Sequence, residues 1–199
     1  MVAMGEVLPY RPPRAREDTT AYVGMIVFLA SWAMMFAAMF FAYAFVRARS
    51  AAWPPSDLPE LPIALPALNT LVLFASSASQ QYGMIAIRRG SSRRLGWALL
   101  CTVGLGTLFL ALQLTLWMRL YHSGLRPETG GPYGSVFYGL TWFHALHVAV
   151  GLVAIAVLCA KAFGGRFSAA KYLPVRLWTL YWHFVGVIWA LMFASIFLI

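Results

Sequence analysis

Five stretches of this chain are apolar for longer than the ~18 residues that mark a membrane helix, and that constrains the fold before any motif is read. They cover roughly 22–46, 66–87, 95–118, 135–160 and 177–199. Each can cross a hydrocarbon core ~30 Å thick at ~1.5 Å of rise per residue. Inside lipid the backbone has no water to bond, so each run must close its own hydrogen bonds as a helix. No run alternates polar and apolar residues with a period of two, which argues against a β-barrel. The expected fold class is all-α and integral to the membrane: a five-helix bundle over 22–199, preceded by a polar tail over 1–21. A charged fraction of 11% and a mean hydropathy of +0.73 agree with that and not with a soluble domain. Beside five spans, the 199 residues leave no room for a large soluble domain. The tail, with Glu6, Arg11, Arg14, Arg16, Glu17 and Asp18, has no apolar core followed by a small-residue cleavage site and does not read as a signal peptide.

The connections carry the turn chemistry. Segment 52–65 holds Pro54, Pro55, Pro59 and Pro62 and reads as an extended loop. Segment 88–94 is a short basic turn, 124–134 a Gly/Pro loop with Pro127, Gly130, Gly131 and Pro132, and 164–174 the last link. The basic residues sort by side. Arg11, Arg14, Arg16, Arg88, Arg89, Arg93, Arg94, Lys161, Arg166, Lys171 and Arg176 fall on one side, and only Arg47, Arg49, Arg119 and Arg126 on the other. The positive-inside rule then puts the N-terminus in the cytoplasm and the C-terminus outside. The formal charge of +9 is thereby read as topology and headgroup contact rather than nucleic-acid binding, for which no basic motif is present. Cys101 and Cys159 lie within spans without ligand spacing and read as small packing residues. Small residues four apart, Ala33/Ala37 and Ala38/Ala42 on the first span, Ser76, Ser79 and Gly83 on the second, Ala145/Ala149 on the fourth, predict close helix contacts. No internal repeat marks an inverted-repeat transporter.

All six acids (Glu6, Glu17, Asp18, Asp57, Glu60, Glu128) fall outside the predicted spans, so the chain offers no carboxylate relay at membrane depth. Three of the four histidines do lie in spans, within YGLTWFHALHV (138–148) and YWHFVGVIW (181–189). His144 and His147 are three apart and share a helix face. His147 sits ~18 Å from the outer end of its run and His183 ~10 Å from the inner end of its own, so in a ~30 Å core their depths nearly coincide. Two readings stay open: each histidine bonds a neighbouring helix, or His147 and His183 clamp a haem iron as paired imidazoles. The surrounding rings (Tyr138, Trp142, Phe143, Tyr181, Trp182, Phe184, Trp189) suit either. Asn69 and Gln113 are intramembrane amides suited to hydrogen bonds between helices. Trp97, Trp178, Trp53 and Trp117 suit an aromatic belt, whereas Trp32, ~15 Å into the first span, needs a protein partner for its indole.

Three segments resemble one family. LPALNTLVLFASS (65–77) is similar to the second-helix LP-x-LNT pattern of subunit III of the haem-copper respiratory oxidases, in its five-helix bacterial form. YGSVFYGLTWFHALHV (133–148) resembles that family's YGS-x-F-x-x-x-TGFHGLHV signature, and LYWHFVGVIW (180–189) its YWHFVD-x-x-W signature. The resemblance spans about residues 22–199. It implies a non-catalytic subunit in a bacterial inner membrane, with no catalytic, metal or cofactor-binding residue of its own. Haems and copper belong to partner subunits I and II. The implied partners are subunit I above all, subunit II, a small subunit IV and bound phospholipid. The implied work is contact with subunit I, lipid binding, and support of proton uptake and durability in an oxygen-reducing, proton-translocating complex fed by cytochrome c or quinol. His144, His147 and His183 become structural residues, as do Asn69, Gln113, Tyr181 and Trp182. The chain departs from the pattern at Trp32, Leu116 and Gly186, where the family places carboxylates, and at Trp142 and Ala145, where it places glycine. Trp32, Trp142 and Arg47 are expected to face lipid or a cleft. The competing expectations are an accessory protein of nitric oxide reductase or a related respiratory assembly, and a free-standing b-type cytochrome.

Overall fold

A computed structural model describes residues 13–50, 52–53, 55 and 61–198, with only the helical backbone described over 13–17. The tail over 1–12, the acids Glu6, Asp57 and Glu60, and Pro54 and Pro59 of the proline-rich loop lie outside the described residues. Five α-helices follow in order: α1 (Pro13–Arg49), α2 (Ala64–Arg88), α3 (Ser92–His122), α4 (Gly131–Phe163) and α5 (Leu173–Phe193). A π-helical turn, Ala194–Leu198, closes the chain. Among the described residues there is no strand, only an isolated bridge between Ser168 and Lys171.

Four of these helices, α1 from Asp18, α3, α4 and α5 with its π turn, are long and apolar enough to cross a membrane. The fifth expected span, α2, falls short on composition and not on length. Its 25 residues reach ~37 Å, but Asn69, Thr70, Ser76, Ser77, Ser79, Gln80 and Gln81 dilute its apolar content.

Every helix overruns its apolar stretch by two or more residues at its start. α4 and α5 begin inside the loops expected over 124–134 and 164–174 because Pro132 and Pro174 occupy the first helical turn, where a missing N–H costs nothing. α1 starts at Pro13, so Glu17 and Asp18 belong to a helix, although Asp18 is exposed near its N-terminal end. Gly90 ends α2 with a φ of +82°, which lets the Ser91 N–H reach the Ala86 carbonyl at 3.0 Å and caps the freed carbonyls.

The bundle is built on the antiparallel α2/α3 hairpin, with α4 against α3 and α5 against both α2 and α4. α1 lies outermost, on α4 and α5. It meets them through large residues seven apart, Leu29, Phe36 and Tyr43, all buried. Its small residues Ala37, Ala38 and Ala42 are exposed, contrary to the close contact they predict. A bulky seam holds the helix at side-chain distance and leaves the alanine face outward. The small-residue expectation holds on α2, where Ser76 and Gly83 are buried, and at Ala145 on α4. Hydrogen bonds fix the ends: Ser92 donates to the Ala162 carbonyl (2.7 Å), Tyr138 to that of Leu125 (2.8 Å) and Tyr43 to that of Ser195 (2.8 Å).

Candidate functional site

The polar residues that dilute α2 are its contact face. Ser79 donates to the Ala98 carbonyl of α3 at 2.9 Å. The Asn69 amide donates to Gln113 Oε1 of α3 at 3.2 Å. Toward α5, the Gln80 amide donates to Thr179 Oγ1 at 3.0 Å. Gln81 Oε1 and His183 Nε2 pair at 3.2 Å. Ser76 and Thr70 accept the indole N–H groups of Trp182 (3.0 Å) and Trp189 (2.9 Å). In a medium that cannot compete for hydrogen bonds such pairs hold helices in register, typically for ~0.6 kcal/mol each.

Trp182 is the keystone. It is fully buried, and its indole reaches α2 through Ser76. Its six-membered ring lies over two glycines, 3.0 Å from where a Cβ on Gly106 of α3 would stand and 3.1 Å from one on Gly151 of α4. Tyr181 beside it donates to the His147 carbonyl of α4 at 3.0 Å. Tyr181, Trp182, Asn69 and Gln113 thus each hydrogen-bond a residue of another helix.

The histidines separate. His144 is buried among rings from three other helices, Phe36 (6.4 Å between centroids), Phe109 (6.0 Å) and Trp189 (5.4 Å). His147, also buried, is held by its own helix through Nδ1 and the Phe143 carbonyl, and meets Trp32 and Phe36 of α1. His183 is half-buried and turned to α2. His147 therefore works at the α1/α4 contact and His183 at the α2/α5 contact. The pair that a haem clamp requires faces two different interfaces. Among the described residues no group of three His, Cys, Asp or Glu side chains converges as a metal site.

Trp32 meets His147 and Phe28 by ring contact, the His147 ring nearly perpendicular to its own, and not, among the described residues, through a hydrogen bond of its indole N–H. It is half-buried, so part of its surface stays open. Trp142 is exposed, resting on Trp117 and Tyr138. Arg47 is half-buried in the last turn of α1. Of the belt residues, Trp53 packs between Tyr43 and Tyr133, Trp117 donates to Thr141 at 3.1 Å, and Trp97 is exposed against Phe163. Cys101 is exposed and Cys159 buried, and both thiols are free.

Sequence reasoning missed Thr70 and Gln80 as interface residues, and read Ser76 as a small contact residue without its role as acceptor of an indole N–H. Their signal was present, Asn69, Ser76 and Gln80 lying seven and four residues apart on one side of the helix, but it registers only as reduced hydropathy until the neighbouring indoles are located. Six buried side-chain atoms have no hydrogen-bond partner among the described residues: Asn69 Oδ1, Gln80 Oε1, Gln113 Nε2, both His144 nitrogens and His147 Nε2. Each such atom left dry costs about 1–3 kcal/mol.

Comparison with known proteins gives a consistent result. Residues 17–199 match the family model described as cytochrome c oxidase subunit III. The chain is 34% identical over 178 residues to the cytochrome c oxidase subunit 3 of Thermostichus vulcanus, covering 89% of this chain and 86% of that protein. It is 36% identical over 177 residues to the one of a Synechocystis species, covering 88% and 74%. It is 34% identical over 196 residues to a probable cytochrome c oxidase subunit 3 of Nocardia farcinica, covering 98% and 96%.

Proposed function

The chain belongs to the cytochrome c oxidase subunit III family, and from that premise we propose that it is the non-catalytic third subunit of a haem-copper terminal oxidase in a bacterial inner membrane. The observation that carries the proposal is the match over residues 17–199, which takes in all five helices beyond the first turn of α1. The side-chain arrangement supports it. The three membrane histidines and the amides Asn69, Gln80 and Gln113 all contact neighbouring helices, which suits a scaffold more than a redox carrier.

In this proposal α2 is the fifth span. A helix too polar to face lipid all round is acceptable in a bilayer when its polar face is turned to other helices. The N-terminus lies in the cytoplasm and the C-terminus outside, following the Lys/Arg bias. The subunit packs against subunit I, contacts subunit II and a small subunit IV, binds phospholipid, and supports proton uptake and durability during turnover. It carries no haem or copper, and Trp32, Trp142 and Arg47 face lipid or cleft volume.

Purification in mild detergent tests the assignment. A haem-copper core should travel with the chain; a nitric oxide reductase core in its place would replace the oxidase reading with the accessory one. Removing the subunit should leave the haem content of the core intact and shorten its working life under turnover, read as oxygen consumption against time. Loss of haem on removal would contradict the non-catalytic role.

A further inference from the structure

Three buried polar side chains on three helices, each 1% exposed, present unpartnered atoms of complementary kind. Gln113 Nε2 on α3 is a donor, Asn69 Oδ1 on α2 an acceptor, and the neutral His144 ring on α4 is one of each. They share a level in the bundle. Gly106 faces Leu152 and Trp117 bonds Thr141, so the antiparallel α3/α4 pair brings position 113 level with His144 and Ala145. Asn69 is hydrogen-bonded to Gln113. Its neighbour Thr70 accepts from Trp189, whose ring lies against His144. Phe109, one turn from Gln113, touches both His144 and Trp189.

We propose that this node is a binding site for internal water, with at least one molecule bridging Gln113 Nε2, Asn69 Oδ1 and His144 in the dry centre of the bundle. The chemistry selects water. The node carries no charged side chain to balance an ion in a low-dielectric interior, which disfavours a cation or an anion. An apolar guest would leave all the polar atoms unpaired. A ligand here must both donate and accept and must have two to four polar partners, which are the terms on which buried water is retained. A bridging molecule would tie α2, α3 and α4 together at a level where Asn69 and Gln113 otherwise share a single bond.

The test uses the full chain, isotope-labelled and reconstituted in lipid bilayers, with solid-state NMR that follows magnetisation from water protons into side chains. The Gln113 amide and the His144 imidazole should receive transfer despite their burial, and Gln113→Leu should remove the transfer to His144. A Gln113→Met chain serves where the leucine variant does not fold. Absence of transfer to both side chains in the unmodified chain would overturn the proposal. So would transfer to His144 that survives loss of the Gln113 amide, because the water would then not be shared.

Discussion

Gly151→Ala puts a number on how tightly the helices close around Trp182. A Cβ at position 151 would stand 2.8 Å from Tyr181 Cε1 and 3.1 Å from two ring carbons of Trp182. Comfortable carbon contact begins near ~3.5 Å, so the Tyr181 ring must retreat by roughly 0.7 Å and the indole by roughly 0.4 Å. Neither is a flexible chain end. Tyr181 is tethered through its hydroxyl to the His147 carbonyl and Trp182 through its indole to Ser76, at 3.0 Å each. Overpacking of this kind costs about 1–3 kcal/mol. A helical glycine replaced by alanine also gains about 1 kcal/mol of propensity, which must be separated out. Gly104 supplies the control: it lies mid-helix in α3 and a Cβ there meets nothing within 4 Å. The difference between Gly151→Ala and Gly104→Ala removes the propensity gain common to both and should equal the packing cost, ~1–3 kcal/mol. Denaturant titration of the reconstituted chain, followed by helical circular dichroism, reads it. Equal midpoints for the two variants would refute the reasoning and show that the rings can yield.

Ser76→Ala should cost about 1–3 kcal/mol because it strands the buried Trp182 N–H, while adding Trp182→Phe to it should cost less than the two single changes summed; the same titration on the double-mutant cycle checks this. Trp32→Ala should loosen α1 by about 2 kcal/mol, less than a fully buried tryptophan would because Trp32 is half-buried, while Met34→Ala, at a residue 75% exposed, should leave the midpoint unchanged. The proposed orientation predicts that, once Cys101 and Cys159 are replaced, Ser168→Cys is labelled by an impermeant reagent only from the cytoplasmic side and Glu128→Cys only from the outer side. The opposite pattern would invert the topology.

The helices were legible because hydrocarbon leaves a backbone one solution, and a run such as 95–118 announces it without tertiary information. Their ends were less so. Pro132 and Pro174 read as loop residues, yet a first helical turn tolerates proline, so α4 and α5 start earlier than their apolar runs. Rotation about each helix axis was the least legible quantity. Ala33/Ala37 and Ala38/Ala42 form good packing motifs in isolation, but Leu29, Phe36 and Tyr43 are the buried residues and take the contact within the described residues. The same applies to the histidines. Spacing fixed that His144 and His147 share a side of α4, but only the placement of α1 decides that His147 meets Trp32 while His144 turns to Phe109 and Trp189. The contact face of α2 was visible at Ser76, Ser79 and Gly83, but its hydrogen bonds to Trp182 and Trp189 were not, because those indole N–H groups lie more than a hundred positions away.

The three positions where the resemblance leads one to expect carboxylates, 32, 116 and 186, show what can occupy such places inside a bundle. Trp32 fills its place with a ring edge against His147. Leu116 is buried and contributes hydrocarbon alone. Gly186 brings the α5 backbone so near α2 that a Cβ there would stand 3.3 Å from the Ser77 hydroxyl. A buried carboxylate must be paired or protonated, whereas apolar packing of the same volume is often no less stable. At these three positions the structure therefore holds rings, hydrocarbon or bare backbone and no ionisable carboxyl. What is polar in the interior, among the described residues, is uncharged in kind: the three amides Asn69, Gln80 and Gln113, the histidines, and the serine and threonine hydroxyls. A core of that kind carries its stability in directional bonds and close ring contact, which is why single methyl additions at Gly151 and single hydroxyl deletions at Ser76 are expected to matter more than any change of charge in its loops.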